Sequence, residues 1–357
     1  MALPKTMRAA VLVGRDQLQI KDVPTPLPGP QDVLIQVNAC AICSSDVSLM
    51  HAPWPHQPPY GAFIPGHEYA GTVVALGETV DEFQAGDRVA VEAHLGCQRC
   101  RNCRLGNYTA CLNYGNLEKG HRANGFTTNG GYAQYVVNHV NTVYRIPDTI
   151  DFDEAALITN LGCVLYGFET IGGYIVGDCV AVIGPGPIGL IAVSSAQALC
   201  AGKVLLIGTR DSRLHAGKAM GADRVVNIND ENAVDIIMDE TNGLGADLVI
   251  ESSGNPNGPQ TAILMTKRMG KILLLGFPDQ PVNADFSTLG KNNKFIYTVR
   301  GEGWANVGRA ISMLKTGHIS LKPLVTHIFP LSQIKEAFQT FTQRIDGALK
   351  VIVKPNN

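Results

Sequence analysis

Three residues in the first fifth of the chain combine a thiol, an imidazole and a carboxyl group. Cys43 lies in the segment CAICSSD, and His67 and Glu68 lie in the segment PGHEYAG. A catalytic zinc ion takes three protein ligands of these kinds and leaves a fourth position for water or substrate. Because a single cysteine or histidine is more often a buried core residue, this set predicts a metal site only in combination with further features.

A second group consists of four cysteines that lie between positions 97 and 111. Four thiolates from one loop make a closed tetrahedral zinc site, whose role is structural. In iron–sulfur ferredoxins the fourth cysteine follows sooner and precedes a proline, whereas Leu112 follows here. A DNA-binding zinc module would need a recognition helix or a broad basic surface, which the sequence lacks. We therefore expect structural zinc at Cys97, Cys100, Cys103 and Cys111.

The segment AVIGPGPIGL, at 181–190, matches the dinucleotide-binding pattern G-x-G-x-x-G. The first glycine permits a tight turn, the second lets the backbone approach a pyrophosphate, and the third lets a helix pack against a strand. The N–H groups at the start of that helix would bind the phosphates. A strand precedes the motif and further strand–helix units follow it, so it predicts a bound dinucleotide. The cofactor-binding residues would be Gly184, Gly186, Pro187, Ile188 and Gly189.

The segment LLIGTRDSRL, about twenty residues after the glycine turn, bears on which dinucleotide binds. NAD-binding units end this strand in Asp or Glu, which contacts the ribose 2′-OH. Here Gly208 removes the repulsion of a 2′-phosphate and leaves space, while Thr209 and Arg210 supply a hydroxyl and a guanidinium group. Arg210 could equally be a solvated loop charge, and Asp211 could contact the ribose, although it is better placed to cap the next helix. We expect NADP in preference to NAD.

Composition narrows the class of protein. The chain has 357 residues, 45% of them hydrophobic, which is enough for two domains with separate cores. A formal net charge of -2 offers no general attraction to polyanions, so we expect neither nucleic acid nor an anionic membrane as a partner. The uncharged run 179–202 has the length of a membrane span, but its glycine and proline residues favour a strand, a turn and a helix. The N-terminus lacks a secretory signal and the cysteines are clustered, which predicts a cytoplasmic protein.

The pattern of apolar residues divides the chain into different regions. Short apolar runs separated by Pro/Gly-rich turns predict a mainly β region over 7–150. From about residue 155, short buried strands alternate with helices, which is typical of a parallel sheet with right-handed crossovers. The predicted strands are 33–37, 71–76, 88–91, 135–137, 180–183, 204–207, 224–226, 248–250, 272–275 and 349–353; the predicted helices are 190–199, 213–220, 233–241, 260–266 and 306–316.

Together these motifs resemble the zinc-dependent medium-chain alcohol and polyol dehydrogenases, the sorbitol and threonine dehydrogenases among them. The resemblance is carried by CxxCSSD at 40–46, GHEYAG at 66–71, GDRV at 86–89, the four-cysteine loop, GPGPIG at 184–189 and a final strand with Lys350. It implies an α/β fold: a Rossmann doubly wound parallel sheet plus a mainly β GroES-like catalytic domain. The implied domains are 1–155 (catalytic), 156–297 (dinucleotide-binding) and 298–357, which returns to the catalytic domain.

The resemblance also implies hydride transfer between an alcohol and a nicotinamide in a cleft between the domains. Zinc held by Cys43 and His67 would act as a Lewis acid, and Ser45 matches the hydroxyl that removes the alcohol proton. Asp46 matches the carboxylate that orients the ligand histidine, and Lys350 is assigned to cofactor binding.

Two positions depart from the pattern of the family. Some relatives pass the proton on through a histidine five residues after the ligand cysteine; this chain has Ser48 there, and His51 could replace it or lie on the surface. Relatives often supply a further ligand where Thr159 and Asn160 stand here, and both are poor zinc ligands. We therefore expect Glu68 as the third ligand, with Cys163 as the alternative.

The sequence thus predicts an oxidoreductase with two zinc ions per chain that interconverts a secondary alcohol and its ketone with NAD(P). Polyols or sugar-like alcohols are the favoured substrates, and an amino alcohol of the threonine type is the alternative. A catalytically silent, nucleotide-sensing zinc protein is a third possibility, although it would not need Cys43, Ser45, Asp46, His67 and Glu68 together. Relatives suggest a homodimer or a homotetramer.

Overall fold

The computed structural model describes residues 3–357 and divides the chain into two compact units. The first unit comprises the chain up to Gly162 together with Gly301–Asn357, and the second comprises Cys163–Arg300. The sequence placed the first boundary seven residues earlier, at 155/156, and the second three residues earlier, at 297/298. The helix Ile158–Thr170 runs across the first boundary, so no loop marks it in the sequence.

The N-terminal part of the first unit is mainly β, because short runs rich in valine, isoleucine and alanine alternate with glycine and proline turns. Its strands are β1 (Thr6–Gly14), β2 (Gln17–Pro24), β3 (Asp32–Ala41), β4 (Glu68–Leu76), β5 (Arg88–Val91), β6 (His94–Leu95), β7 (Arg122–Ala123), β8 (Tyr135–His139) and β9 (Val143–Arg145); its helices are α1 (Ser44–His51), α2 (Arg101–Arg104) and α3 (Phe152–Ala155), followed by α4 (Ile158–Thr170).

The second unit alternates strands and helices, and the chain then returns to the first unit. The second unit contains β10 (Cys179–Ile183), α5 (Pro187–Ala198), β11 (Lys203–Gly208), α6 (Asp211–Ala219), β12 (Arg224–Asn227), α7 (Ala233–Glu240), β13 (Ala246–Glu251), α8 (Gly258–Met265), β14 (Thr266–Leu274), α9 (Phe286–Lys291) and β15 (Phe295–Thr298). The return contains α10 (Asn306–Lys315), β16 (Val325–Pro330), α11 (Ile334–Gln343) and β17 (Lys350–Lys354).

The largest sheet of the first unit has the strand order β16-β17-β3-β4-β5-β9, and β8 also pairs with β3. Antiparallel pairing sets Ala41 of β3 opposite both Glu68 of β4 and Ile352 of β17. The end of β3 therefore meets the beginnings of β4 and β17 at one edge of the sheet. Residues that follow β3 or begin β4 and β17 are brought together there.

The second unit is a parallel six-stranded sheet in the order β12-β11-β10-β13-β14-β15. In sequence terms this is the order 3-2-1-4-5-6 of a Rossmann sheet. Its strands are apolar because parallel strands are covered by helices on both faces, and Leu205, Val249 and Ile272 are fully buried. The predicted fold class is confirmed.

The uncharged run 179–202 forms β10, a turn and α5, as predicted. Most predicted strands and helices lie within two or three residues of the observed ones. Helix α5 begins at Pro187, three residues before the predicted start, because proline is favoured in the first turn of a helix. The hairpin β1–β2, helix α11 and strand β16 were not predicted. No helix of residues 3–357 is long and apolar enough to cross a membrane.

The glycines of the turn between β10 and α5 differ in what surrounds them. Gly184 has a φ of +100°, which side-chain-bearing residues rarely adopt. A Cβ on Gly189 would lie 2.0 Å from the carbonyl oxygen of Gly184 and 2.6 Å from the Ser252 hydroxyl oxygen. A Cβ on Gly186 would meet nothing within 4 Å. Packing therefore requires glycine at 189, whereas at 186 the protein itself leaves room.

We expect Gly189→Ala and Gly186→Ala to have different effects. Gly189→Ala should destabilise the protein by about 1–3 kcal/mol, because the helix must move away from the turn. Gly186→Ala should keep the wild-type melting temperature and weaken dinucleotide binding, because its methyl group fills the space through which a pyrophosphate approaches. Thermal unfolding and a fluorescence titration with NADP measure the two effects. Equal losses of melting temperature would contradict this assignment.

Candidate active site

The structure brings together the three residues that the sequence marked as ligands of a catalytic metal. Cys43 follows β3, His67 precedes β4 and Glu68 begins β4, so the sheet edge collects them. One ligand atom from each lies within 4.8 Å of the others, and His67 Nε2 lies 4.0 Å from Glu68 Oε1. His67 and Glu68 are buried and Cys43 is half-buried. A thiol, an imidazole and a carboxylate at this spacing fit a zinc ion.

Ser45 lies directly beside these ligand atoms. Its hydroxyl donates to Cys43 Sγ at 3.2 Å, and its oxygen lies 3.4 Å from His67 Nε2. Helix α1 begins at Ser44, so Cys43 is its N-cap residue and Ser45 lies in its first turn. A group bound by the cysteine and the histidine would contact this hydroxyl.

Asp46 orients His67 by binding Nδ1, the ring nitrogen that is not directed at the ligand group. Its fully buried carboxylate accepts hydrogen bonds from His67 Nδ1 at 3.2 Å, from the Cys43 backbone N–H at 2.9 Å and from the Tyr132 hydroxyl at 2.8 Å. Burial lowers the pKa of His67, but the charge and hydrogen bond of Asp46 raise it more, and the result lies well above the usual value. The Nδ1 bond leaves Nε2 directed at the ligand group. Tyr132 carries no sequence signal and was not predicted.

Both oxygens of Glu68 have protein partners. Asn160 Nδ2 donates to Oε1 at 2.7 Å, and the Lys350 ammonium group donates to Oε2. All three residues are buried, and Lys350 Nζ also lies 3.4 Å from the Ile42 carbonyl oxygen. Burial lowers the pKa of Lys350, but the charge of Glu68 raises it above its usual value, so the lysine stays charged. Each carboxylate oxygen keeps a further lone pair, so Glu68 is still able to bind a metal.

The sequence did not predict that Asn160 and Lys350 hydrogen-bond the Glu68 carboxylate. Asn160 was considered only as a poor ligand, yet it donates to the Glu68 oxygen that lies 4.0 Å from His67 Nε2. Lys350 was assigned to the cofactor, and the structure pairs it with Glu68 within the first unit. Its role in cofactor binding stays a prediction.

The remaining sequence alternatives lie in different settings. His51 is exposed and its Nδ1 lies 2.9 Å from Asp16 Oδ2, so the ring hydrogen-bonds a carboxylate on the surface. Cys163 belongs to the second unit and is not part of the ligand group Cys43, His67 and Glu68.

Aromatic side chains pack beside the ligand histidine. Trp54 stacks on Phe126 with 5.5 Å between ring centroids, and the Phe126 centroid lies 4.4 Å from that of the His67 ring.

The four cysteines of the loop 97–111 form a second candidate metal centre. Their sulfurs lie within 4.8 Å of one another, with Cys97 and Cys103 at 3.9 Å and Cys100 and Cys111 at 4.0 Å. Four zinc–sulfur bonds of about 2.3 Å in a tetrahedron place the sulfurs about 3.8 Å apart. The loop therefore fits one closed zinc ion.

Hydrogen bonds to Cys97 favour its thiolate, the form that binds metal. Asn113 donates to Cys97 Sγ from Nδ2 at 3.1 Å and to Cys111 Sγ from its backbone at 3.3 Å. Burial raises the pKa of Cys97, but the Asn113 side chain and backbone N–H groups outweigh it and lower the pKa to about 6. Donors that stabilise a sulfur anion are what a metal-binding thiolate requires.

The segment after β11 corrects two expectations about the nucleotide. A Cβ on Gly208 would lie 2.5 Å from Pro185 Cγ, so this glycine is closely packed against the glycine turn and does not leave space. Asp211 is the first residue of α6 and accepts a hydrogen bond from Asn227 Nδ2 at 2.8 Å, so it does not cap the helix. Arg210 occupies the N-cap position and is exposed, and Thr209 is exposed beside it.

The sequence matches two family models along most of its length. The alcohol dehydrogenase GroES-like domain covers residues 29–148, and the zinc-binding dehydrogenase domain covers residues 187–316. A sorbitol dehydrogenase of Bacillus subtilis is 34% identical over 99% of both chains. An L-threonine 3-dehydrogenase of Pectobacterium carotovorum is 30% identical over 93% of this chain and 94% of that one.

Solved structures agree with the fold. A zinc-binding dehydrogenase structure from Sinorhizobium meliloti 1021, bound to NADP, superposes with a TM-score of 0.89 at 27% identity, covering 99% of this chain and all of that one. The alcohol dehydrogenase of Thermus sp. ATN1 superposes with a TM-score of 0.87 at 28% identity, covering 98% of this chain and 99% of that one. A GroES-like domain followed by a zinc-binding dehydrogenase domain is the domain composition of a zinc-binding dehydrogenase. The chain belongs to the zinc-dependent medium-chain alcohol dehydrogenase family.

Asn160 offers a direct test of how Glu68 is held. Asn160→Leu removes the donor to Glu68 Oε1, and loss of such a supporting hydrogen bond commonly weakens metal binding about 10- to 100-fold. Thr159→Val is the matched control, because the buried Thr159 hydroxyl has no partner among residues 3–357. Zinc retained per chain against a chelator series, with a melting curve, measures both. Unchanged zinc retention in Asn160→Leu would show that Glu68 does not depend on this bond.

Proposed function

We propose that this protein interconverts a secondary alcohol and its ketone with NADP, and that Cys43, His67 and Glu68 hold the catalytic zinc. The observation that carries the proposal is the convergence of these ligand atoms with the Ser45 hydroxyl at one sheet edge. We further propose a second, structural zinc in the loop 97–111, which gives two zinc ions per chain. Assembly into a homodimer or homotetramer stays a prediction.

The residues around the site have separate tasks in this reaction. A zinc ion held by Cys43, His67 and Glu68 would supply positive charge that favours loss of the alcohol proton, and a bound nicotinamide would supply the hydride acceptor. Ser45 Oγ lies beside both Cys43 Sγ and His67 Nε2, so it would accept the alcohol proton while its own hydroxyl proton passes to solvent water, which the partly exposed residue can contact. Asp46 holds the imidazole with Nε2 toward the ligand group, and Lys350 offsets the charge of Glu68.

Ser45→Ala tests the proton step. The variant should keep its zinc content and NADP affinity but lose activity about 10²–10⁴-fold, the usual contribution of a positioned acid or base. The loss should appear in kcat, because the alcohol still binds. Ser48→Ala serves as the control, since among residues 3–357 the Ser48 hydroxyl bonds only the Ser44 carbonyl of its own helix. A loss confined to KM would assign Ser45 to substrate positioning.

The preference for NADP is supported by residues at the end of β11. Because position 208 is glycine, β11 ends without a carboxylate that could contact a ribose 2′-OH. The next acid, Asp211, accepts a hydrogen bond from Asn227. The Arg210 side chain is exposed and forms no ion pair within residues 3–357, so its guanidinium group is available for a phosphate. The Sinorhizobium meliloti structure bound to NADP belongs to a similar chain.

Arg210→Ala should weaken NADP binding and leave NAD binding nearly unchanged. A hydrogen bond to a charged group contributes about 1.5–3 kcal/mol, which corresponds to a loss of roughly 10- to 150-fold. The kcat/KM values for both cofactors, in wild type and variant, provide the measurement. Arg213→Ala, one turn further along α6, controls for a general loss of positive charge. Equal effects on the two cofactors would mean that Arg210 does not contact a 2′-phosphate.

Polyols are the proposed substrate class. The sorbitol dehydrogenase of Bacillus subtilis matches this chain over nearly its whole length, and the Cys/His/Glu ligand set is compatible with it. An amino alcohol of the threonine type is the second candidate, favoured by the similarity to L-threonine 3-dehydrogenase. Turnover of sorbitol, threonine and a simple secondary alcohol with each nicotinamide cofactor separates these substrates. No turnover of any of them would count against the proposed function.

A further inference from the structure

Three buried ionisable side chains of the first unit lie together outside both groups of candidate zinc ligands. Glu92 follows β5, His94 begins β6, and Glu302 lies where the chain returns to this unit. Their exposed fractions are only 2%, 7% and 3%. His94 Nδ1 lies 3.8 Å from Glu302 Oε2. Two carboxyl groups and one imidazole are therefore held close together in the protein interior.

Several polar atoms of these side chains have no partner in the described part of the chain. Glu92 Oε1, Glu302 Oε2 and both ring nitrogens of His94 are buried and form no hydrogen bond among residues 3–357. The other oxygen of Glu92 accepts one hydrogen bond, from the Tyr144 hydroxyl at 3.0 Å. Buried polar groups are normally hydrogen-bonded, and buried charges are normally paired or bound to a metal. These atoms therefore require a partner from outside the chain.

A cavity beside Glu92 and His94 provides space for such a partner. Its volume is about 170 Å³, which is ample for an ion with several bound waters. Tyr108 also lines the cavity, and its buried hydroxyl likewise has no hydrogen-bond partner among residues 3–357. Polar atoms from three of the lining residues are thus available to an ion and its waters.

The charges of the three side chains favour a cation. Neither carboxyl group forms an ion pair with lysine or arginine among residues 3–357, and none of the described residues that line the cavity is a lysine or an arginine. Burial raises the pKa of Glu92 well above its usual value, and the charge of Glu302 raises it further. A protonated His94 would offset only one carboxylate, whereas a divalent cation beside a neutral imidazole balances both.

We propose that Glu92, His94 and Glu302 form a binding site for a divalent transition-metal ion, separate from the two zinc sites proposed above. One imidazole with two carboxylates suits Zn²⁺ or Mn²⁺, because imidazole nitrogen favours transition metals, whereas Mg²⁺ and Ca²⁺ prefer oxygen ligands. The 3.8 Å between His94 Nδ1 and Glu302 Oε2 allows both atoms to bind one ion at the usual distances of about 2.0–2.2 Å.

Glu92 takes part in this site through a bound water. Among residues 3–357, only the four-cysteine loop and the ligand group Cys43, His67 and Glu68 place three or more ligand atoms all within 4.8 Å of one another. The ion therefore contacts His94 and Glu302 directly, and Glu92 Oε1 accepts a hydrogen bond from a water on the ion. Divalent ions that are bound by one or two protein groups commonly keep several waters, and the cavity has room for them.

An ion at this position would hold together the two places where the chain leaves and re-enters the first unit. The first stretch of that unit ends at Gly162, and its second stretch begins at Gly301. A Cβ on Gly162 would lie 3.3 Å from Glu302 Cβ, and one on Gly301 would lie 3.7 Å from His94 Nδ1. The ion would fasten Glu302 to β6 beside α4. This structural role does not depend on the alcohol dehydrogenase function.

The test counts the metal ions bound per chain when the full-length protein is dialysed to equilibrium against Zn²⁺ and Mn²⁺. Glu302→Gln should bind one ion fewer than wild type, because it loses a charged ligand and keeps the shape of the side chain. His94→Phe should also bind one ion fewer, and its ring keeps the stacking of His94 on Phe126. Glu118→Gln is the matched control, since it removes an exposed acid of the same unit and should bind as many ions as wild type.

The melting temperature gives a second readout. In protein freed of loosely bound metal, Glu302→Gln and His94→Phe should melt no lower than wild type, because each removes a buried polar group that lacks a partner. Adding Mn²⁺ should raise the melting temperature of wild type and of Glu118→Gln by more than that of these two variants, since an ion that binds only the folded state stabilises it.

Equal metal content in wild type, Glu302→Gln and His94→Phe would overturn the site, as would equal gains in melting temperature. A variant that fails to fold, or that melts well below wild type before metal is added, would also count against it, because the side chain would then be satisfied within the protein. The difference of one ion tests this site, whereas the total depends on the two zinc sites as well. Failure here therefore leaves the proposed dehydrogenase function intact.

Discussion

Antiparallel pairing of β3 with β4 and β17 is the interaction on which the candidate active site depends. It sets Ala41 opposite both Glu68 and Ile352, so three distant parts of the chain meet at one sheet edge. Cys43 and Lys350 arrive there from opposite ends of the sequence, and Lys350 then pairs with Glu68. A one-residue slip of β4 would direct Glu68 to the other face of the sheet and break that pair, because side chains alternate along a strand.

Buried charges around this edge are balanced by local partners. Asp46 receives three hydrogen bonds, and Glu68 receives one from Asn160 and one from Lys350. Such networks hold side chains in one geometry because each unmade bond would leave a buried polar atom unsatisfied. Glu92, His94 and Glu302 differ from this frame, because Glu92 Oε1, Glu302 Oε2 and both ring nitrogens of His94 are buried without a hydrogen-bond partner among residues 3–357.

The sequence predicted those features whose chemistry is encoded locally. The four-cysteine loop, the glycine turn and the alternating strands and helices each occupy one short stretch, so spacing and periodicity reveal them. The roles of Asn160 and Tyr132 depend on contacts with residues 92 and 86 positions away, and no local pattern encodes them. At Gly208 the local sequence was misleading. The missing side chain predicted open space for a phosphate, but Pro185 occupies that space.

The close spacing of the four cysteines has a chemical consequence for a chain that loses its metal. Cys97 has a pKa of about 6, so as a free residue it is largely an anion at neutral pH, and other thiols lie only 3.9–4.0 Å apart in the same loop. A nucleophilic sulfur with a neighbouring thiol is readily converted to a disulfide once an oxidant is present. Any pair that formed would remove two ligands and prevent the loop from taking up zinc again. An ion bound there would therefore act as a protecting group that keeps the reactive Cys97 sulfur and its neighbours reduced.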